Sequence, residues 1–233
     1  MANNLGVVIA AAGTGTRMKS KINKPYMLLN EYPVLNYSLD IFEQYKAVNE
    51  IIIVVHPYEI TYCQQEIVKK FGYRKVKQVV PGGKERQDSI WAGLQLLDKE
   101  TGYVAVHDGA RPLLTVALLN ELLEKAMEWG AAIPGVYSRD SLKMVDNKGF
   151  VGKTLDRSKV VLIQTPQIFR YTELVKAYVR ARAAGFQSTD DSALFEKYIG
   201  KVKIVPGDHH NIKITFPEDL IIAQSLLNIR SKG

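Results

Sequence analysis

Short apolar runs recur along this chain, each followed by a stretch of helical periodicity, and that alternation limits the fold more than any other feature. Leu5 to Ala11 is continuously apolar, as is Ile51 to Val55, and Val76 to Val80, Tyr103 to Val106 and Ala131 to Val136 have the same strand length. A run without polar alternation reads as a strand buried on both faces. Between these runs, Pro33 to Tyr45, Tyr58 to Phe71, Gln87 to Leu97 and Thr115 to Trp129 read as helices, with Val34, Leu35, Leu39 and Phe42 on the apolar stripe of the first. Strands alternating with helices imply parallel pairing through right-handed crossovers. The expected architecture is α/β: a Rossmann-like, mostly parallel sheet with helices on both faces. Ligands of such sheets sit at the carboxyl ends of the strands, which gathers the loops after Ala11, Val80 and Val106 into one cleft.

The alternation breaks between Tyr137 and Val161, where polar and apolar residues interleave around the turn Asp146-Asn147-Lys148-Gly149. A protruding β-hairpin arm at about residues 137–161 is expected, inserted in a single domain spanning 1–233. Such an arm either folds back on its own body or joins a partner subunit. Beyond it, Tyr171 to Ala184 and Asp190 to Tyr198 read as helices, and Val202 to Val205 and Ile212 to Ile214 as strands. Thr215 and Glu218 are spaced as a capping box before a closing helix, Pro217 to Asn228.

The residues that follow the first run set the charge problem. Arg17, Lys19, Lys21 and Lys24 stand there without an acid among them, the first being Glu31. The chain carries a net charge of +7 over 233 residues, yet its other cations are scattered. Scattered cations argue for a small phosphorylated ligand over nucleic acid, whose binders bunch Lys and Arg on one element. No run approaches the ~18 apolar residues of a membrane helix, and no signal-peptide core precedes the first strand. The single cysteine, Cys63, excludes an intrachain disulfide and fits a reducing, cytoplasmic location.

Gly13 and Gly15 let a backbone turn tightly against a ligand, and successive N–H groups in such a turn form an anion-binding concavity. The loop is not a P-loop, for no G-x-x-x-x-G-K-[ST] is present. It is not a full dinucleotide fingerprint either, since Met18 stands at the third glycine position. "PGGKERQDSI", residues 81–90, repeats the glycine theme with Arg86 and Ser89 as donors. "VAVHDGARP", residues 104–112, puts Asp108 at a strand end, suited to Mg²⁺, a ribose or a neighbouring cation, with Arg111 in range. His107 beside it reads as a core histidine. Ser188 and Thr189 fit N-capping positions, and Lys213 alternates with Ile212 and Ile214.

Together "AAAGTGTRM", "PGGKERQDS", "VHDGARP", "LDRS", "QTPQIF", "TDDSAL" and "NIKITFPEDL" occur in one order from about Gly6 to Leu226. That set resembles the 2-C-methyl-D-erythritol 4-phosphate cytidylyltransferase family. The resemblance implies that CTP and a polyol phosphate are the substrates and that Mg²⁺ or another divalent cation is the cofactor. It implies that Arg17, Lys24 and Lys213 act on the phosphates. Ala11, Ala12, Gly13, Gly15, Gly83, Ser89 and Asp108 would line the nucleotide site, with Asp108 also a direct or indirect metal candidate. Arg111, Thr165 and Thr189 would surround the acceptor. Ser141 and Arg157 would reach a neighbouring subunit's site in a homodimer joined through the arm. This chain departs from the family at Asn23-Lys24-Pro25-Tyr26, where P-K-Q-Y is common, at Lys84, where an acid often stands, and at Ser141, usually Thr. A ribitol 5-phosphate cytidylyltransferase and a nucleotide-binding module without turnover share most of these features.

Overall fold

A computed structural model describes residues 4–13 and 23–230. β1 (Leu5–Ala11) is the central strand. Val7 and Ile9 point into one apolar cluster and Val8 into the other, which is why the run carries no polar alternation. After Lys24–Tyr26, a single 3₁₀ turn, the short strands β2 (Leu28–Leu29) and β3 (Tyr32–Pro33) pair through a two-residue turn with Asn30 and Glu31 at φ 50° and 63°. α1 (Val34–Gln44) buries Leu35, Leu39 and Phe42. β4 (Val48–Val55) begins three residues before the apolar run suggests, with Val48 buried and Asn49 and Glu50 continuing the strand.

α2 (Ile60–Tyr62) continues as a π-helix over Cys63–Lys69, a departure from the regular helix expected there. Cys63 is fully buried, and burial pushes its thiol up to about 12, so it is inert packing. β5 (Val76–Pro81), α3 (Arg86–Leu94) and β6 (Tyr103–Asp108) follow. α4 (Val116–Trp129) is capped by Thr115, whose hydroxyl accepts from the Leu118 N–H, and ends at Gly130 with φ 86°. β7 (Ala131–Tyr137) leads out to the arm, a separate two-stranded sheet of β8 (Leu142–Val145) and β9 (Val151–Leu155).

Two short strands that the sequence does not announce follow the arm. β10 (Val161–Ile163) and β11 (Gln167–Arg170) re-enter the main sheet antiparallel to their neighbours. α5 (Tyr171–Ala183), α6 (Asp191–Tyr198), β12 (Lys203–Pro206) and α7 (Pro217–Arg230) complete the chain. The main sheet has the order β10-β7-β11-β6-β1-β4-β5, with β12 parallel to β7. Pairing of β1 with β4 and β6, and of β4 with β5, is parallel. α1 and α4 cover one face, α3, α5 and α6 the other, and α7 packs on a third cluster with Leu29, Val34, Leu113 and Ile214.

Three local expectations change. Residues 211–215 form no strand; the Ile214 N–H bonds the Ala110 carbonyl instead. At α7 the helix begins at Pro217, so Asp219 rather than Glu218 is its third residue, and Asp219 Oδ2 accepts from both Thr215 N and Phe216 N. Asp190 occupies the N-cap position of α6, one residue past Thr189, and Ser188 accepts from its N–H.

Candidate active site

Two glycine-bearing turns face each other at the carboxyl rim. A side chain at Gly82 would run into Ala12 Cβ, so the two turns approach closely only because that residue is glycine, while one at Gly83 would run into Asp88 at the start of α3. Ser89 fastens the turn: its Oγ accepts from Gly83 N at 3.1 Å and donates to the Glu85 carbonyl at 3.1 Å. Glu85 and Asp88 cap the start of α3 reciprocally. Ala11, Ala12, Gly13, Lys24, Gly83, Ser89, Asp108 and Lys213 line one cleft, together with Lys84 and Arg86.

Asp108 closes β6 and stands among cations. Its Oδ2 lies 2.6 Å from Lys213 Nζ and 3.9 Å from Arg111 Nε, and its Oδ1 lies 3.4 Å from Arg86 Nε. Burial alone would raise the Asp108 carboxyl; Arg86, Lys213 and Arg111 outweigh it and hold the group well below the usual carboxylate range. Arg86 also reaches Asp191, Nη1 to Oδ2 at 2.6 Å, and Tyr178 Oη donates to Asp191 Oδ1 at 2.5 Å. Burial pulls the Arg86 guanidinium down, but Asp191 and Asp108 more than offset that and raise it. For Arg111 burial prevails, and its affinity for the proton falls despite Asp108. Two carboxylates thus face Arg86, Arg111 and Lys213, and Lys24 adds to an excess of positive charge.

Behind Asp108 runs a buried chain of hydrogen bonds. Thr165 Oγ1 accepts from Asp108 N at 3.0 Å and lies 3.2 Å from His107 Nδ1. His107 Nε2 lies 3.0 Å from Ser38 Oγ, which donates to the Arg111 carbonyl at 3.0 Å. With the Ser38 proton committed, the network assigns the His107 hydrogen to Nε2 and lets Thr165 donate to Nδ1. Burial lowers the imidazole to about 4, so it is neutral. His107 is the core histidine its position suggests, not an acid or base in the cleft.

The structure brings most of the anticipated residues together, but not all. Arg17 and Gly15 lie outside the described residues. Thr165 is buried behind Asp108, where it holds the strand end rather than lining the cleft. Arg111 stands beside it and bonds the Asn211 carbonyl at 2.8 Å. Thr189 borders an adjoining pocket that shares Arg86 with the cleft. Ser141 and Arg157 sit exposed on and beside the arm, and Arg157 donates to the Arg139 carbonyl at 2.7 Å. Sequence reasoning gave Arg86 no central role and passed over Asp191; their pairing spans 105 positions. The available signal was an arginine in the first turn of a helix that follows a glycine pair.

A sheet of this topology, with a glycine-lined cleft of excess positive charge at its carboxyl rim, suits a phosphorylated ligand, and the family match makes the class a nucleotidyltransferase of the α/β kind. The model of the 2-C-methyl-D-erythritol 4-phosphate cytidylyltransferase (IspD) family matches residues 5–229, and the chain belongs to that family. A protein of that name from Caldanaerobacter subterraneus is 44% identical over 224 residues, 96% of this chain and 99% of the relative. One from Alkaliphilus metalliredigens is 43% identical over 233 residues, covering 100% of this chain and 97% of its own. The crystal structure of 4-diphosphocytidyl-2C-methyl-D-erythritol synthase from Anaerococcus prevotii superposes with a TM-score of 0.85 at 32% identity, covering 97% of this chain and 96% of that one.

Proposed function

We propose that this cleft carries the family's reaction: a cytidylyl group passes from CTP to 2-C-methyl-D-erythritol 4-phosphate. The products are 4-diphosphocytidyl-2-C-methyl-D-erythritol and pyrophosphate, in the non-mevalonate route to isoprenoid precursors. The observation that carries the reading is the family match along residues 5–229. The shared cleft of Lys24, Asp108 and Lys213 supports it.

The chemistry asks little of an acid or base. A phosphate monoester has a second pKa near ~6, so the attacking oxygen is already ionised at neutral pH. The barrier comes from bringing two anions together and from charge growing around the α-phosphorus. Fixed cations at that position lower it without reorganisation. In this reading Lys24 and Arg17 hold the triphosphate and Lys213 meets the acceptor phosphate or its junction with CTP. Ala11 to Gly13, Gly83 and Ser89 shape the nucleotide pocket. Arg111 and Thr189 serve the acceptor side, and Thr165 acts there through Asp108.

A divalent cation, Mg²⁺ by expectation, belongs to this reading, where it would neutralise phosphate charge. Asp108 does not fit a direct metal ligand: its two oxygens face Arg86, Lys213 and Arg111. Among the described residues no group of three His, Cys, Asp or Glu side chains could hold a metal. Such an ion is therefore assigned to the nucleotide's own oxygens and water. The reading also includes one domain spanning 1–233, a homodimer joined through the arm and a cytoplasmic location. The arm's exposed Met144, Val145, Phe150 and Val151 support the dimer, and no helix among the described residues is long and apolar enough to cross a membrane.

The test is pyrophosphate release from CTP and a divalent cation with methylerythritol 4-phosphate or ribitol 5-phosphate as acceptor. Release with the first is expected. Release with ribitol phosphate alone would transfer the reading to that acceptor. CTP binding without release in either case would leave a nucleotide-binding module.

A further inference from the structure

Three consecutive residues at the start of α3 reach across to the end of α5, the segment that follows it and the start of α6. Arg86 pairs with Asp191 at 2.6 Å and Asp88 Oδ1 accepts from Arg182 Nη1 at 3.2 Å. Between them, Gln87 Nε2 donates to the Phe186 carbonyl at 3.1 Å and its Oε1 accepts from the Ser188 N–H at 2.9 Å. The middle contact differs in kind from its neighbours. One residue of a parallel strand bonds the C=O and N–H that flank its partner residue, and the Gln87 carboxamide does this to the two groups flanking Gln187. Both faces of the amide are used, and Gln87 is only 7% exposed. The Arg182–Asp88 pair, by contrast, is nearly half exposed on each side and contributes little.

The segment so held runs directly into Thr189, and α3 runs directly from the Gly82–Gly83 turn. We propose that Gln87 is a positioning residue that latches the loop carrying Thr189 to the helix behind the nucleotide turn. This inference rests on the reading of Thr189 as an acceptor-side residue. The latch fixes where Thr189 stands without touching either substrate. Losing it frees the loop, weakens acceptor binding and leaves the nucleotide turn, which Ser89 and Glu85 hold independently.

The first measurement is amide hydrogen exchange on the full chain without substrates. In Gln87→Met, exchange at Ser188 should quicken at least about tenfold, the loss of roughly one hydrogen bond, while α3 amides stay protected. Gln87→Glu keeps an acceptor for Ser188 but turns a carboxylate oxygen toward the Phe186 carbonyl, so it should not restore wild-type exchange at Ser188. Kinetically, Gln87→Met should raise KM for the polyol phosphate about tenfold with KM for CTP within about twofold. Unchanged exchange at Ser188, or equal rises in both KM values, overturns the latch. An inactive wild type would count against the proposed reaction instead, and the exchange result would still decide whether Gln87 holds the loop.

Discussion

Lys24 is only 9% exposed and lines the cleft, so an anion arriving there replaces little bulk water and meets a fixed charge. Lys24→Ala should lower turnover about 10²-fold or more, read as kcat in the pyrophosphate-release assay on protein shown to be folded. Full activity in that variant would remove Lys24 from the reaction. His107 gives a prediction of another kind. Its imidazole is held near 4, against an ordinary 6.5. Between those values the unfolded chain takes up a proton that the native chain refuses, so stability rises with pH and falls on acidification. The contribution is on the order of 3 kcal/mol across the window. Denaturant midpoints at about pH 7 and about pH 5 should differ in the wild type, and His107→Gln, without the titrating group, should show a shallower difference. An equal difference in both proteins would mean that carboxylates elsewhere set the slope.

At the scale of elements, the two facing turns bear the heaviest constraint. Gly82→Ala forces a methyl against Ala12 and Ser89, so KM for CTP should rise about tenfold or more as the turns part, with the acceptor KM less affected; unaltered CTP kinetics would show the turns to be pliable. The strands that position these turns were legible because β1 and the apolar part of β4 are buried on both faces, and an unbroken apolar run has few other meanings. Asp108 was legible because it ends such a run, whereas Gly83 follows an edge strand with Lys77 and Gln78 exposed, and the Gly82-Gly83 pair itself was the signal. The π segment was not: Cys63 and Ile67 stay four apart and buried in either kind of helix, so the apolar spacing is unchanged. The turn at Asn30 and Glu31 gave no glycine signal, and Glu seldom adopts its φ. "NIKIT" alternates like a strand, yet no sheet edge receives it. β10 and β11 do not read as strands at all: at three and four residues they are too short to show a period, and no apolar pattern records which way a strand runs. The Arg86–Asp191 pair and the Gln87 contact join distant positions, and no local pattern announces them.

On the scale of the whole molecule, the arm is the part least explained by a single chain. Met144, Val145, Phe150 and Val151 are between 54% and 69% exposed, an apolar surface that burial in a second copy would satisfy. Sedimentation should show a dimer for the wild type and a monomer for Phe150→Asp. The variant should also lose turnover if, as the proposed dimer requires, Ser141 and Arg157 serve a neighbouring cleft. A wild type that sediments as a monomer removes the arm from the reaction. Where the arm is rooted matters as much as what it grips. Val161 pairs with Tyr137, so the chain departs and returns at one point, and β11 begins opposite Val106 near Asp108. The two strands that run against the grain thus set the arm's hinge on the doorstep of the cleft. A molecule that grasps the arm arrives at the doorway rather than at the back wall.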